Sequence, residues 1–366
     1  MVCAISRMRS KITAPIFALL LMCGSCGSKE VRNISAGDVV FVDEFPTEVD
    51  LKELDFTIDE IGLRSVKVVD SLIVLAHTSF WTIHSDTGKK YGKCLGIGQG
   101  PAEFNYIPTS TASAFITYGD TLYSYLNNCP RGKIMRLNVT KLVNDGIEDV
   151  ATQLETDVLK SISWQVTPCD SSRFILAMPN KLYTGFTRQL FANGELKEIP
   201  GTETLSEFTV EDESKINMLA KTQVYNPDAD MMVEAMCSFN QLHVYAPDGS
   251  RMKTICVGKK LDNAIDVANT SRPMCPEAYK SAAAWPTGFG AVYAGATRMS
   301  YQMGTNTDSD LQFFDWNGNP KCKAVLPYKV RSIDIDFNKK RLYVIDEEED
   351  CLRTYDATEI INALNS

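Results

Sequence analysis

The sequence predicts an all-β chain, folded as a six-bladed β-propeller with four antiparallel strands per blade. Three observations carry that prediction. First, short alternating runs rich in Val, Ile, Tyr and Phe recur almost throughout, as at Ser65–Val69, Leu72–Leu75, Ala114–Thr117, Leu122–Tyr125, Leu242–Tyr245, Arg331–Phe337 and Arg341–Ile345. Second, the turns repeat. Asp86-Thr87-Gly88, Asn193-Gly194, Asp248-Gly249 and Trp316-Asn317-Gly318 each stand between one strand-like run and the next, and Asx-Gly supplies the positive φ of a tight hairpin. Third, two degenerate copies, Asn128–Lys133 and Tyr355-Asp356, complete a set of six between residues 58 and 360. The mean unit is roughly fifty residues, the size of a four-stranded blade with its loops.

The elements follow in order. Residues 1–25 read as an export signal. Arg7, Arg9 and Lys11 form its positive start, and the apolar run Ile12–Met22 is too short to span a bilayer. Cys23-Gly24-Ser25-Cys26 then resembles a bacterial lipobox with Cys26 as the lipidated residue; the alternative is an ordinary secretory signal. Acyl chains on Cys26 would hold the chain on a membrane, each buried CH₂ contributing about 0.8 kcal/mol. Residues 26–36 read as a tether and 37–366 as the propeller. The run Gly37–Phe45 is expected to return to the last blade and close the ring. Blade limits are set at 58–105, 106–155, 156–205, 206–260, 261–328 and 329–362. Glu211–Lys221, Pro276–Ala284 and Thr358–Leu364 are the candidate short helices.

The formal charge is -9, and because residues 1–25 contribute +3, the remainder carries -12. With no dense Lys/Arg stripe to offset it, that balance argues against a nucleic-acid partner. Cysteines 94, 129, 169, 237, 256, 275, 322 and 351 are widely spaced, with no C-x-x-C and no zinc-ligand pairing. No bridge is assigned, and Cys256 and Cys322, inside strand-like runs, read as small buried hydrophobes.

Gly96-Ile97-Gly98-Gln99-Gly100-Pro101-Ala102-Glu103-Phe104 is the most ordered loop in the chain. It is not a dinucleotide fingerprint, which needs G-x-G-x-x-G between strand and helix, nor a P-loop, which needs Gly-Lys-Ser/Thr. The glycines permit close backbone approach, Pro101 fixes φ at a turn, Glu103 can cap amides and Phe104 can anchor the loop in the core. The motif resembles the G-x-G-x-G-P-x-E-F signature of the TolB-like (NHL-like) six-bladed propeller lipoproteins of Bacteroides-type bacteria. Residues 114–123 resemble that family's next strand pair. The resemblance implies a lipid-anchored envelope protein, on the periplasmic side or the outer membrane, with Gly96, Gly98, Gly100, Pro101, Glu103 and Phe104 forming a structural loop.

Candidate functional residues are few. Of the three histidines, His84 is placed at the border of a central channel and His243 on a strand, partly exposed. Asp334 and Asp336 share one strand face and are the acidic candidates for the channel wall. The run Asp346–Asp350 lacks the glycine and spacing of a calcium loop and reads as a solvated hairpin tip. Trp164, Trp285 and Trp316 are either sugar platforms or packing between blades. No Ser-His-Asp order, metal motif or cofactor loop emerges, so no catalytic residue, metal or cofactor is assigned. Two functions remain: a non-catalytic propeller binding a protein, peptide or glycan at one face, or a metal-dependent hydrolase or lyase using His77, His84, Asp334 and Asp336 in the channel.

Overall fold

The computed structural model describes residues 33–108, 114–128, 131–160, 165–211, 213–305 and 308–366. The signal segment, Cys26, Cys129 and Trp164 lie outside the described residues. Six sheets account for the strands, and the chain is a six-bladed β-propeller. Two short strands precede the first blade: β1 (Asp38–Val42) and β2 (Ile58–Asp59). Blade 1 holds β3 (Leu63–Val69), β4 (Leu72–His77), β5 (Trp81–Ser85) and β6 (Lys90–Cys94). Blade 2 holds β7 (Phe115–Tyr118), β8 (Thr121–Asn128), β9 (Lys133–Asn138) and β10 (Val150–Glu155). Blade 3 holds β11 (Gln165–Pro168), β12 (Phe174–Pro179), β13 (Phe186–Ala192) and β14 (Glu195–Glu198). Blade 4 holds β15 (Lys221–Asn226), β16 (Met231–Met236), β17 (Gln241–Tyr245) and β18 (Lys253–Val257). Blade 5 holds β19 (Pro276–Trp285), β20 (Gly288–Thr297), β21 (Ser309–Asp315) and β22 (Pro320–Leu326). Blade 6 holds β23 (Val330–Asp336), β24 (Arg341–Asp346) and β25 (Cys351–Asp356).

The fourth strand of blade 6 is borrowed from the start of the chain. It is β2, not Gly37–Phe45, that closes the ring: Ile58 pairs with Leu352 and Asp59 with Cys351, antiparallel. The expected closing strand β1 instead adds to blade 4, parallel to β18, from Asp38 opposite Lys253 to Val42 opposite Val257. Between them, Val49 N–H donates to the Lys323 carbonyl on blade 5, at 2.8 Å. The segment therefore runs along the outer edges of blades 4, 5 and 6 before it enters blade 1. A free edge presents unpaired N–H and C=O groups, and this belt satisfies part of three such edges. A strand-like run read alone carries no information on which of six similar edges it will pair with.

The turn residues are placed by the same logic. Asp86–Gly88, Asn193-Gly194, Asp248-Gly249 and Asn317-Gly318 each join the third strand of a blade to its fourth. Asn193 and Gly194 both hold positive φ, 54° and 78°. Tyr355-Asp356 ends a third strand whose fourth partner comes from β2. Asn128–Lys133 does not fit the set. It joins the second and third strands of blade 2, and the helix Val139–Asp145 makes the third-to-fourth connection there. Pro276–Ala284 is strand β19 rather than helix. Its alanines favour helix locally, but tertiary packing overrides them, with Ala283 buried against blade 6. Glu213–Leu219 is a 3₁₀ helix and Thr358–Asn365 an α-helix.

The core is divided among the blade interfaces. Blades 1 and 2 share Val74, Trp81, Leu126 and Met135; blades 5 and 6 share Leu311, Phe313, Ile333 and Val344. Blades 6 and 1 meet through Tyr343, Ile345, Ile73 and Leu75. Each fully buried Leu, Ile or Phe contributes about 1.5–3 kcal/mol, so the stability of each blade is lodged in its neighbours. This arrangement moves His243. The residue opposite an apolar one in a propeller strand faces the next blade, not water, and His243 is completely buried rather than partly exposed.

Candidate functional site

The innermost strands β3, β15, β19 and β23 surround a central cavity of about 320 Å³. Polar and charged groups ring it: Arg64 and Lys67 from blade 1, Thr222 from blade 4, Lys280 and Ser281 from blade 5, Arg331 and Asp334 from blade 6. Glu347, in the turn between β24 and β25, completes the rim. A wider hollow of about 880 Å³ shares Lys280 and Glu347 and is walled by Arg272, Glu277, Arg298, Met299 and Tyr301. Its walls are two excursions of blade 5. One precedes β19 and includes a 3₁₀ turn at Arg272–Met274; the other is the helix Arg298–Gln302 after β20. That helix begins with a capping box in which the Thr297 and Ser300 side chains satisfy each other's backbone N–H groups.

The rim is held by a chain of contacts. Glu277 takes Lys280 at 2.6 Å and Arg298 at 3.5 Å. Tyr301 donates its hydroxyl to Glu347 Oε2 at 2.7 Å, and Glu347 Oε1 takes Arg331 at 3.0 Å. Lys280 and Lys329 lie over the Tyr301 ring, 4.4 and 5.2 Å from its centre. Burial, reinforced by the bond to Glu347, pushes the Tyr301 hydroxyl far above the ordinary phenol range, so it stays a donor.

Asp334 and Asp336 have different settings. Asp334 is buried on the cavity wall. Its Oδ1 accepts Trp285 Nε1–H from blade 5 at 2.8 Å, and its Oδ2 accepts Val68 N–H from blade 1 at 2.6 Å, beside Lys67 at 3.2 Å. One carboxylate thus joins three blades. Asp336 lies at the other end of β23, where it accepts Lys339 N–H, and it is not among the cavity residues. Trp285 is packed between blades, and Trp316 donates to the Trp285 and Pro286 carbonyls.

His84 is placed on β5, the third strand of blade 1, and not on the channel wall. It meets His77 around Glu60 and Thr82. His77 Nε2 lies 3.0 Å from Glu60 and 2.9 Å from Thr82 Oγ1; His84 Nε2 lies 3.3 Å from Glu60 and 3.0 Å from Thr82. Burial depresses His84, with Glu60 opposing. Burial pushes Glu60 up, but Lys90 at 2.7 Å and the two histidines outweigh it and hold the carboxyl below its ordinary value. The four residues expected to work together fall into separate clusters, the histidines with Glu60 and Asp334 with Trp285. Among the described residues no three His, Cys, Asp or Glu side chains are arranged to hold a metal ion. The acidic run Asp346–Asp350 is divided among several partners: Asp346 caps Glu348 and Glu349 N–H, Glu347 serves the rim, and Asp350 takes the N–H groups of Gly62 and Leu63 on blade 1, so only Glu348 and Glu349 are exposed as a hairpin tip. Cys256 and Cys322 are buried free thiols, and all seven described cysteines are unbridged.

The glycine motif is the crossover from β6 to β7. Glu103 accepts the Gly100 N–H at 2.5 Å, Phe104 is fully buried among blade 1 and 2 side chains, and Phe104 N–H reaches the Gly96 carbonyl. Sequence reading missed Arg131, whose guanidinium donates to the Gly98 and Gly100 carbonyls and to Asn105. It lies on the next blade's hairpin, and no local pattern marks it. The three glycines are not equivalent. A Cβ on Gly98 would stand 2.0 Å from Glu103 Oε2, whereas one on Gly96 meets nothing within 4 Å. Gly98→Ala is expected to lower stability by about 1–3 kcal/mol by displacing the Glu103 carboxylate from Gly100. Gly96→Ala should stay within about 0.5 kcal/mol of wild type. Urea unfolding of the pair checks this, and equal midpoints would refute it.

Connectivity fixes which loops share an end. In an up-and-down blade, the crossovers between blades and the loops joining second to third strands lie together. Twelve large apolar side chains stand exposed among the described residues, and eight belong to that end: Ile61, Ile97, Tyr106, Leu182, Tyr183, Met274, Met299 and Met303. The same end carries the hollow and the cavity mouth. No helix among the described residues is long and apolar enough to cross a membrane.

Among solved structures, the chain is similar to a member of the DUF4221 family from Bacteroides vulgatus, with a TM-score of 0.53 and 11% identity over 85% of this chain and 98% of that one. It is also similar to Raptor from Chaetomium thermophilum, with a TM-score of 0.48 and 10% identity over 84% of this chain and 29% of that one. A third is the extracellular domain of a hybrid two-component system from B. thetaiotaomicron, at 0.47 and 9% identity, covering 85% and 43%. No protein-family model matches the sequence, and no curated protein matches it. The likeness to the B. vulgatus protein shows a shared fold and nothing about activity.

Proposed function

We propose that this chain is an exported propeller, anchored to the cell envelope by lipid on Cys26, that binds a protein or peptide on its crossover face without catalysing a reaction. The observation that carries the binding half is the distribution of exposed large apolar side chains among the described residues, eight of twelve at one end of the ring. Scattered exposed apolar residues need no explanation, but a concentration at one end, with Met299 in the wall of a polar-rimmed hollow and Met274 and Met303 each next in the chain to a wall residue, is the usual mark of an interaction face. The anchor half rests on the positive start, the apolar run and the small residues before Cys26.

Photo-crosslinking in the intact envelope tests both halves. A benzophenone side chain at Met299 or Met303 is expected to give a discrete crosslinked product, while one at Ile147, at the opposite end, gives none. Cys26→Ser is expected to release the chain from the membrane fraction and to abolish the product. Equal products from both ends would overturn the binding face. Retention of the Cys26→Ser chain in the membrane fraction would overturn the anchor.

A further inference from the structure

The cavity and hollow carry a charge opposite to that of the molecule. Their walls present Arg64, Lys67, Lys280, Arg331, Arg272 and Arg298 against Asp334, Glu347 and Glu277, a surplus of three positive charges. The chain as a whole is at -9. A basic concavity in an acidic protein focuses potential toward anions, the more so where low-dielectric walls shield it.

A second observation is independent of charge counting. Three buried side-chain atoms on the cavity wall hydrogen-bond to no described group: Arg331 Nε, Ser281 Oγ and Thr222 Oγ1. They come from blades 6, 5 and 4. Arg331 is held from outside by Glu347 through its Nη2, which leaves the Nε–H edge without a partner. Among the described residues, the Arg64 side chain bonds to the neutral Thr78 hydroxyl alone, at 3.1 Å. A buried donor without an acceptor is destabilising, and an acceptor with formal charge offsets that cost best. Carboxylate oxygens accept from guanidinium and hydroxyl donors at once, which suits this set. Around the mouth, Met274, Met299 and Met303 are exposed, and unbranched thioether side chains adapt to varied apolar surfaces.

We propose that the mouth takes an extended acidic segment of a partner protein, its carboxylate entering between Arg331, Lys280 and Arg64 while flanking apolar residues pack on the three methionines. This rests on the crossover face being the binding face. It adds the chemistry of the partner.

The test uses the full propeller against an array of peptides matched in apolar content and differing in charge. The strongest binder, its Glu→Gln counterpart and polygalacturonate are then measured by fluorescence anisotropy or competition. Acidic peptides are expected to dominate the array and to lose affinity as salt rises. Arg331→Gln and Lys280→Gln should each weaken the best peptide about tenfold, equal to ~1.4 kcal/mol. Lys197→Gln, on the exposed strand β14, should leave it unchanged, and urea midpoints confirm that the variants fold. Equal binding of Glu and Gln peptides, or no loss in the Arg331 and Lys280 variants, would overturn the inference. Tighter binding of polygalacturonate than of any peptide would also overturn it, since the partner would then be an anionic glycan. If acidic peptides fail while crosslinks from Met299 persist, the acidic chemistry falls and the binding face stands.

Discussion

Glu234→Gln is expected to lower the stability of the propeller by about 3–5 kcal/mol, the cost of leaving buried cations without their counterion. Glu234 is completely buried on β16, facing blade 3. Arg188 from β13 reaches its Oε2 at 2.9 Å, and Lys221 from β15 stands 3.5 Å from the same oxygen. Gln223 and Tyr245 donate to its Oε1 at 2.7 and 2.8 Å. Burial opposes the ionised form, but the charges of Arg188 and Lys221 and the Arg188 hydrogen bond outweigh it and hold the carboxyl far below its ordinary range. Gln keeps the shape and accepts some of the bonds, yet Arg188 and Lys221 lose the one negative partner they have among the described residues. Burial, and the nearby guanidinium, already hold Lys221 well below an ordinary lysine. Urea unfolding with linear extrapolation measures the effect. A loss under about 1 kcal/mol would show the cluster to be electrostatically idle. The triple replacement Arg188→Met, Lys221→Met, Glu234→Leu should recover most of the loss, because no charge is then left unpaired.

The second large effect is acid sensitivity from His243. Thr254 Oγ1 donates its one proton to the Ala36 carbonyl at 2.9 Å, so His243 Nδ1, 3.2 Å away, must be the donor in that contact. Nε2 is buried without a partner. Burial lowers the imidazole pKa to about 3, with Glu234 opposing and Arg188 and Lys221 adding to the depression. In the unfolded chain it titrates near ~6.5. Between those values the unfolded state holds a proton that the folded state lacks, so stability is full above the unfolded value and falls as pH drops through the window. The slope is about 1.4 kcal/mol per pH unit for one such group. His84, also depressed by burial, adds in the same direction. Glu234 and other depressed carboxylates act only at lower pH, below the ordinary carboxylate value. His243→Gln should therefore remove about 1.4 kcal/mol per pH unit from the slope between pH ~6 and ~5. An unchanged slope in that interval would show that His243 is not the group responsible.

The blade count was legible because a turn that needs positive φ leaves a mark in the chain wherever it recurs. Asn193-Gly194 and its counterparts mark the third-to-fourth turn of four blades. The count of six survived even though Asn128–Lys133 belongs to a different turn of its blade. The candidate site was much less legible. Asp334 could be named from its strand, but its contacts with Trp285 and Val68 join residues on three separate blades. Arg331, Lys280 and Arg64 are ordinary basic residues along the chain, and nothing in their neighbours distinguishes them from surface lysines and arginines. His243 was misplaced because alternation separates two faces of a strand without saying what covers each.

By itself, then, the sequence determined most of the local conformations: the alternating strands, the turn chemistry and the number of units. These depend on residues a few positions apart, and their physics is short-ranged. Which edge β1 would pair with, which segment would close the ring, and which charges would converge on the axis were decided only by the tertiary structure. Six sheets of similar shape offer nearly equal local choices, and only the packing of each against its neighbours selects one.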